Sequence, residues 1–325
     1  MPEKVLVTGG TGFIGSNLVS SLLRQNYNVR VLARNRQVTK KIEGVEIFEG
    51  DLTDFQSLSG IEDQVDIVVH CAGIMGKWGV SEESLYRVNV QGTLNLLKKF
   101  SSASISVFIH LSAGGVTGPV RGNVADETYV CMPVTPYEKS KFLGEKKVLE
   151  LSEEMNIPAV VLRPTFTYGP GDPHKTALFR AVKKGKFAFI GNGKSLNTPV
   201  YIDDLINGII LAIEKGRAGE TYIIGGRSPV TKLELIYTIS DELGVMRPGI
   251  MIPRWFAWPV ASYFEILGRI FQSEPVITRS KVMMMGDNFG YSIGKAEKEL
   301  MYEPKTYLKE GIAKTVQSYI GNSLL

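Results

Sequence analysis

Six short runs in the first half of the chain are almost continuously apolar and rich in β-branched residues: KVLVT (4–8), NVRVLA (28–33), VEIFEG (45–50), VDIVVHC (65–71), ISVFIHLS (105–112) and AVVLRP (159–164). Unbroken runs of this length, instead of an alternation, belong to strands covered on both faces, as in a parallel sheet with helices on either side. Between them the apolar period lengthens to that of a helix. Ile14, Leu18, Val19, Leu22 and Leu23 make one stripe, and Leu85, Val88, Leu94 and Leu97 make another. The second opens on Ser81-Glu82-Glu83 and closes near Lys98-Lys99, a polar cap and charge order that suit the helix dipole. This alternation predicts an α/β fold: a Rossmann-type, doubly wound parallel sheet.

After Pro164 the rhythm breaks. YGPGDPHK, GNGKSLN and GRSPV are turn-rich, and the elements between them are shorter. The expected organisation is a dinucleotide-binding domain over 1–165, to which the chain returns near 198–216, and a smaller C-terminal substrate-binding lobe over most of 166–325. The apolar stretch 250–270 is broken by Arg254, Glu265 and Arg269. It falls short of the roughly 18 uninterrupted apolar residues of a membrane span. It reads as a buried or groove-lining helix, with interfacial membrane contact through Trp255, Phe256 and Trp258 as the alternative.

Composition narrows the classes without choosing one. The 325 residues carry 37 Lys and Arg against 33 Asp and Glu, a net charge of +4 with no long like-charge block, so nucleic acid is not an expected partner. Two cysteines, Cys71 and Cys131, make no disulfide framework and point to a reducing, cytoplasmic setting. Three scattered histidines argue against a metal site, and KVLVT starts too early for a secretory signal.

Chemistry enters with TGGTGFIG, which follows the first strand directly and opens the first helix. Gly9, Gly12 and Gly15 permit a tight turn, close approach of backbone amides to a pyrophosphate, and close packing of helix on strand. Thr11, Phe13 and Ile14 belong to the same cradle. At the end of the second strand an NAD site usually places a carboxylate, whereas here Ala33 is followed by Arg34. A guanidinium suits a 2′-phosphate, so NADP is preferred over NAD. Arg36, Lys40 and Lys41 extend the basic cluster, read either as a solvated loop or as further phosphate contacts. Asp51-Leu52, after the third strand, is placed to accept the adenine amino group.

Tyr137 and Lys141 stand four residues apart at the start of a helix, hence on one face. A phenol with pKa near ~10 is a poor base at neutral pH; a neighbouring ammonium lowers it. Ser112 ends the fifth strand, on the sheet edge where such folds bind ligands. Ser112, Tyr137 and Lys141 are therefore the expected catalytic set.

The pieces TGGTGFIG, GDLTD, HCAG, YRVNVQGT, HLSAGG, YEKSK, LRPTFTYGPGD, YIDDL and YSIGKAEKELMYEP run over essentially the whole chain. Together they resemble the extended short-chain dehydrogenases/reductases. The resemblance implies the Ser-Tyr-Lys roles above, with Lys141 also holding the nicotinamide ribose. It implies that Cys71, Ala72, Gly73, Pro164 and Thr165 line the cofactor, and it leaves Asn89 between a cofactor and a structural role. A homodimer through the helices preceding and containing Tyr137 is also what it suggests. Where sugar-nucleotide epimerases carry a diphosphate-facing asparagine, this chain has Phe166, and no arginine precedes Lys295-Ala296. The YSIGKA ending is closer to 3β-hydroxysteroid dehydrogenases and dihydroflavonol-type reductases. The expectation is hydride transfer with a secondary alcohol or ketone of apolar or aromatic character, touched by Trp78, Phe166 and Trp255. The alternatives are a sugar-nucleotide epimerase or dehydratase using the same trio and, more remotely, a non-catalytic dinucleotide sensor.

Overall fold

A computed structural model describes residues 2–35 and 43–325. Arg36, Lys40 and Lys41 of the basic cluster lie outside the described residues. The six expected strands are all present: β1 (Lys4–Thr8), β2 (Asn28–Ala33), β3 (Val45–Glu49), β4 (Ile67–His70), β5 (Val107–Leu111) and β6 (Ala159–Pro164). They form one parallel sheet in the order β3-β2-β1-β4-β5-β6, completed by a seventh strand, Thr221–Ile224, beside β6. That last strand was not expected. TYII is short and emerges from a turn-rich region, so it has neither the length nor the flanks that exposed the others.

The order has a physical consequence. The chain winds outward from β1 to β3, then returns to place β4 on the other side of β1, with Thr8 paired to Leu32 on one side and His70 on the other. The connections after β1 and β4 diverge to opposite faces there, opening a crevice at the carboxyl ends of the strands. α1 (Phe13–Arg24) starts at that crevice, burying Leu18, Val19 and Leu22 against the sheet. The second apolar stripe is helical from Glu82 to Lys99, interrupted by a wider π-type turn over Arg87–Gly92. Ser81 caps it by accepting from the Ser84 amide.

One apolar core covers the α1 face of the sheet and runs on into the lobe, from Val5 and Ile109 to Phe179, Tyr222 and Tyr319. A second fills the opposite face around Leu6, Phe108 and Val148. The helix Ile202–Lys215 packs on β5 and β6, while Pro199–Tyr201 pairs with Phe166–Tyr168 in a separate two-stranded ribbon. A small third core of Ile190, Ala257, Ala261 and Val282 fastens the helix Arg254–Ile270 to the lobe.

Candidate active site

The turn between β1 and α1 is closed by Gly12 N–H donating to Gly9 O at 2.9 Å. Gly9 has φ +69°, and a Cβ on it would lie 2.8 Å from the Ala72 nitrogen. A Cβ on Gly15 would lie 2.1 Å from Gly9 O, so helix and strand touch backbone to backbone. α1 has Gly12 at its N-cap, with no side-chain cap and no acidic residue in its first turn. Its leading amides and the positive end of its dipole are thus available to an anion, which is how a pyrophosphate is held in this kind of turn.

The helix Pro136–Glu154 sets the other wall. Thr135 and Glu138 form a capping box: the Thr135 hydroxyl accepts from the Glu138 amide at 3.2 Å, and the Glu138 carboxylate accepts from the Thr135 amide at 2.8 Å. Pro136 supplies the first helical φ. The short stretch TPYE therefore fixes Tyr137 in the first turn, and Lys141 follows one turn later on the same face. Tyr137 is crossed by the loop after β4 at Gly76, where a Cβ would come within 2.8 Å of the tyrosine Cβ. Ser112 continues the β5 ladder, its amide donating to Leu162 O at 2.7 Å.

All three side chains face one cleft of about 1170 Å³ that runs from the glycine turn to the lobe. Gly9, Gly12, Phe13, Ile14 and Gly15 line it at one end. Cys71, Gly73, Pro164 and Thr165 line its middle, and Trp78 and Phe166 the lobe end. The hydroxyls of Ser112 and Thr165 are buried in this wall without a hydrogen-bond partner. Unpartnered buried hydroxyls are costly unless something else supplies the bond, and an oxygen-bearing ligand in the cleft would do so. The volume, the bare helix start and these two hydroxyls fit an extended dinucleotide with a substrate beside it.

Some expected residues lie elsewhere. Asn89 is fully buried and spends its amide on the fold: Oδ1 accepts from Ile74 N–H at 2.8 Å, and Nδ2 donates to Ile74 O and to Ser140 Oγ, each at 3.0 Å. It ties the loop after β4 to the tyrosine helix and does not line the cleft. Thr11 is exposed, and Ala72 is packed under Gly9, its amide donating to Thr8 Oγ1. Arg34, Asp51 and Leu52 gather beyond the cleft, at the ends of β2 and β3. Burial opposes ionisation of Asp51, but hydrogen bonds from Thr53 and the charges of Arg34 and Arg87 outweigh it and hold the carboxyl below its usual range. Trp255 does not reach the cleft; it is 78% exposed on the outer side of its helix.

The electrostatics differ from the sequence expectation. Burial, reinforced by the Glu138 carboxylate, pushes the Tyr137 phenol up to about 12. Lys141 does not bring it down, because the lysine is itself desolvated: burial lowers it to about 8 against the opposing pull of Glu145 and Cys71. Its ammonium donates to Leu111 O at 2.6 Å. The Tyr137 phenol therefore keeps its proton at neutral pH. The buried Arg163 beneath the site is held by Glu145, with Nε to Oε2 at 3.1 Å.

The sequence reading also missed a polar patch at the lobe end, where Lys77, His174, Lys175, Arg269 and Arg279 face the cleft. Lys175 lies 4.6 Å from the Phe166 ring centre and 3.9 Å from an Asp172 carboxylate oxygen that has no hydrogen-bond donor. Arg279 is occupied by Glu265 at 2.8 Å. The only hint in the sequence was PHK directly after a Gly-Asp turn at a strand end. From the far side of the chain, the Tyr291 hydroxyl donates to Gly114 O at 2.8 Å and secures the segment after Ser112.

Residues 5–225 match the family model described as the NAD dependent epimerase/dehydratase family. Among curated proteins, the chain is 29% identical to the mouse (Mus musculus) sterol-4-alpha-carboxylate 3-dehydrogenase, decarboxylating, over 98% of this chain and 91% of that one. It is also 29% identical to the 2-alkyl-3-oxoalkanoate reductase of Stenotrophomonas maltophilia, over 95% and 97%. Among solved structures, UDP-glucuronic acid 4-epimerase from Bacillus cereus in complex with NAD superposes with a TM-score of 0.77 at 26% identity, covering 99% of this chain and all of that one (100%).

Proposed function

The chain belongs to the NAD dependent epimerase/dehydratase family, and on that premise we propose that it is a dehydrogenase/reductase working on a secondary alcohol or ketone. The observation that carries this reading is the unpartnered, buried Ser112 hydroxyl in the same cleft as Tyr137 and Lys141. A carbonyl oxygen placed there would receive hydrogen bonds from Ser112 and Tyr137. A dinucleotide whose pyrophosphate is held by the turn of Gly9, Gly12 and Gly15 would supply or accept the hydride at the carbon. In the reducing direction Tyr137 gives its proton to the oxygen as the C–O double bond becomes a single bond, and the phenol regains a proton from solvent. The phenol, pushed up to about 12, carries that proton at neutral pH. Lys141, pinned at Leu111 O in the same cleft, would hold the nicotinamide ribose.

NADP as the preferred cofactor remains the finer proposal, supported by Arg34 and by the absence of a carboxylate at the end of β2. For the substrate, Trp78 and Phe166 provide apolar surface, while Lys175 adds a desolvated cation. That pairing suits an apolar body bearing an acidic group near the reacting carbon, a description shared by the substrates named in both curated relatives. The same cations, with the family and the superposed epimerase, favour a sugar-nucleotide epimerase as the second reading.

Spectrophotometry of NADPH and NADH oxidation with hydrophobic ketones and alkyl 3-oxo acids tests the first reading. Tyr137→Phe should abolish turnover and leave cofactor affinity nearly intact, and Lys141→Ala should damage both. Retention of more than a small fraction of kcat in Tyr137→Phe would remove Tyr137 as the proton donor. Saturable UDP-glucose binding by calorimetry, with no ketone turnover, would favour the epimerase.

A further inference from the structure

The cations that line the cleft are not equivalent. Lys141 donates to Leu111 O, and Arg279 is occupied by Glu265. Lys77 and Arg269 stand exposed at the lobe end. Lys175 differs from all of these. Its side chain is only 21% exposed, and its ammonium donates to no acceptor among the described residues. Its neighbours are the face of Phe166, with the ring centre at 4.6 Å, and an Asp172 carboxylate oxygen at 3.9 Å. That second separation gives an ion pair without a hydrogen bond.

Asp172 is held where it cannot close the gap. It is 1% exposed, and its Oδ1 accepts from the His174 amide at 2.8 Å. Its carbonyl accepts from the Tyr319 hydroxyl at 2.7 Å and from the Thr176 hydroxyl at 3.1 Å. Oδ2, the oxygen that faces Lys175, has no hydrogen-bond donor. The sequence builds this locally. In GDPHK the aspartate turns the chain onto the His174 amide, and Lys175 follows at the start of the helix Thr176–Lys183. Fixed in this way, the carboxylate favours the charged form of Lys175 against the burial that opposes it, yet leaves the ammonium's donors unfilled. A desolvated ammonium in that condition gains most from an anionic acceptor.

Given a dehydrogenase/reductase site in this cleft, we propose that Lys175 is its specificity-determining residue, that Asp172 is the positioning residue behind it, and that the substrate is an oxo acid taken as its free carboxylate. The carboxylate accepts from Lys175 on the cleft side. Ser112 and Tyr137 take the oxo group in the same cleft, and Phe166 and Trp78 offer apolar surface to the rest of the chain. An ester or thioester of the same acid brings no charge, so it leaves the ammonium desolvated and without an anion. His174, Lys77, Arg269 and the Arg279–Glu265 pair face the same end of the cleft, and Tyr319 reaches Asp172 from the C-terminal helix. Burial and the charges of Lys77 and Lys175 lower His174 against the pull of Asp172, so its ring is neutral from neutral pH upward.

Turnover of a 3-oxo acid and of its methyl ester with NADPH tests this in the full-length protein. The wild type should prefer the acid in kcat/KM by at least about tenfold, a comparison that needs no variant. Lys175→Met should lower the acid-to-ester ratio by roughly one to two decades, chiefly through KM, as loss of a charged hydrogen bond predicts. Lys175→Arg should recover part of it. Asp172→Asn keeps the acceptor for the His174 amide. It should lower the ratio more at pH 9 than at pH 7, because Lys175 without its carboxylate gives up its proton sooner. Lys141, lowered to about 8, titrates in that range but acts on acid and ester alike. Equal use of acid and ester by the wild type, or a ratio unaltered in Lys175→Met, overturns the proposal and leaves the reductase reading standing. Where neither compound turns over, the reductase reading falls by itself, and calorimetry of octanoate with the NADPH complex decides the role of Lys175. Affinity that drops at least about tenfold in Lys175→Met upholds it as the carboxylate's partner; affinity unaltered or absent overturns it.

Discussion

His70 and His110 lie side by side beneath the cleft, fully buried, with ring centres 5.4 Å apart. His70 is hydrogen-bonded to the hydroxyls of Thr8 at 2.7 Å and Thr93 at 2.9 Å, whereas neither nitrogen of His110 has a partner. Burial, with the Lys141 charge adding, lowers His70 to about 3 and His110 well below 6.5. An unfolded histidine takes up its proton near ~6.5. Below that value the unfolded chain binds protons that the folded chain refuses, so stability falls as pH falls. Between pH 7 and pH 5 each histidine held neutral costs about 2 kcal/mol, roughly 4 kcal/mol for the pair, against a total stability of about 5–15 kcal/mol. His174, lowered by burial, adds in the same direction, and few other groups intrude in this window. Lys141 and Lys232, both lowered to about 8, stay protonated through most of it. The depressed carboxyls Asp51 and Glu46 titrate below it. Glu127, raised by burial, acts with the opposite sign from its ordinary range upward. Urea unfolding followed by circular dichroism at pH 7, 6 and 5 measures the slope. His70→Asn should start less stable yet lose roughly half as much on acidification, because one of the two fully buried histidines is gone. A wild-type change below about 1 kcal/mol, or an unchanged slope in His70→Asn, would refute the account.

Gly15→Ala should lower stability by about 1–3 kcal/mol and weaken dinucleotide binding, since its Cβ would sit 2.1 Å from Gly9 O and only backbone movement can relieve the clash. Thermal melts and NADH fluorescence titration check both effects, and an unaltered melt would mean that helix and strand are not in that contact. Arg34→Ala should weaken NADPH by roughly one to two decades, from a charged hydrogen bond of about 1.5–3 kcal/mol, and change NADH little. Equal losses for both cofactors in the same titration would remove Arg34 from the 2′-phosphate.

The sequence by itself determined the sheet and the chemistry-bearing turns, because those features are written locally. Strands covered on both faces are apolar along most of their length, so β1, β2, β4, β5 and β6 stood out as nearly unbroken runs, while the edge strand β3 keeps Glu46 and Glu49 exposed. TGGTGFIG and TPYEKSK carry their own turn and capping chemistry, so the turn and the helix start are marked by neighbouring residues. Tertiary structure decided what depends on neighbours distant in the chain. Nothing local in TYII marks it as the seventh strand; β6 recruits it. Asn89 could have faced a cofactor or the fold, and packing against Ile74 and Ser140 settled it on the fold. The Tyr137–Lys141 spacing implied a lowered phenol, but solvent exclusion by the closed site acts on both groups, raising one and lowering the other. In the Arg254–Ile270 helix the apolar content exceeded what one face needs. Only the packed lobe, which accepts a stripe of small residues and no more, left Trp255 and its neighbours facing outward.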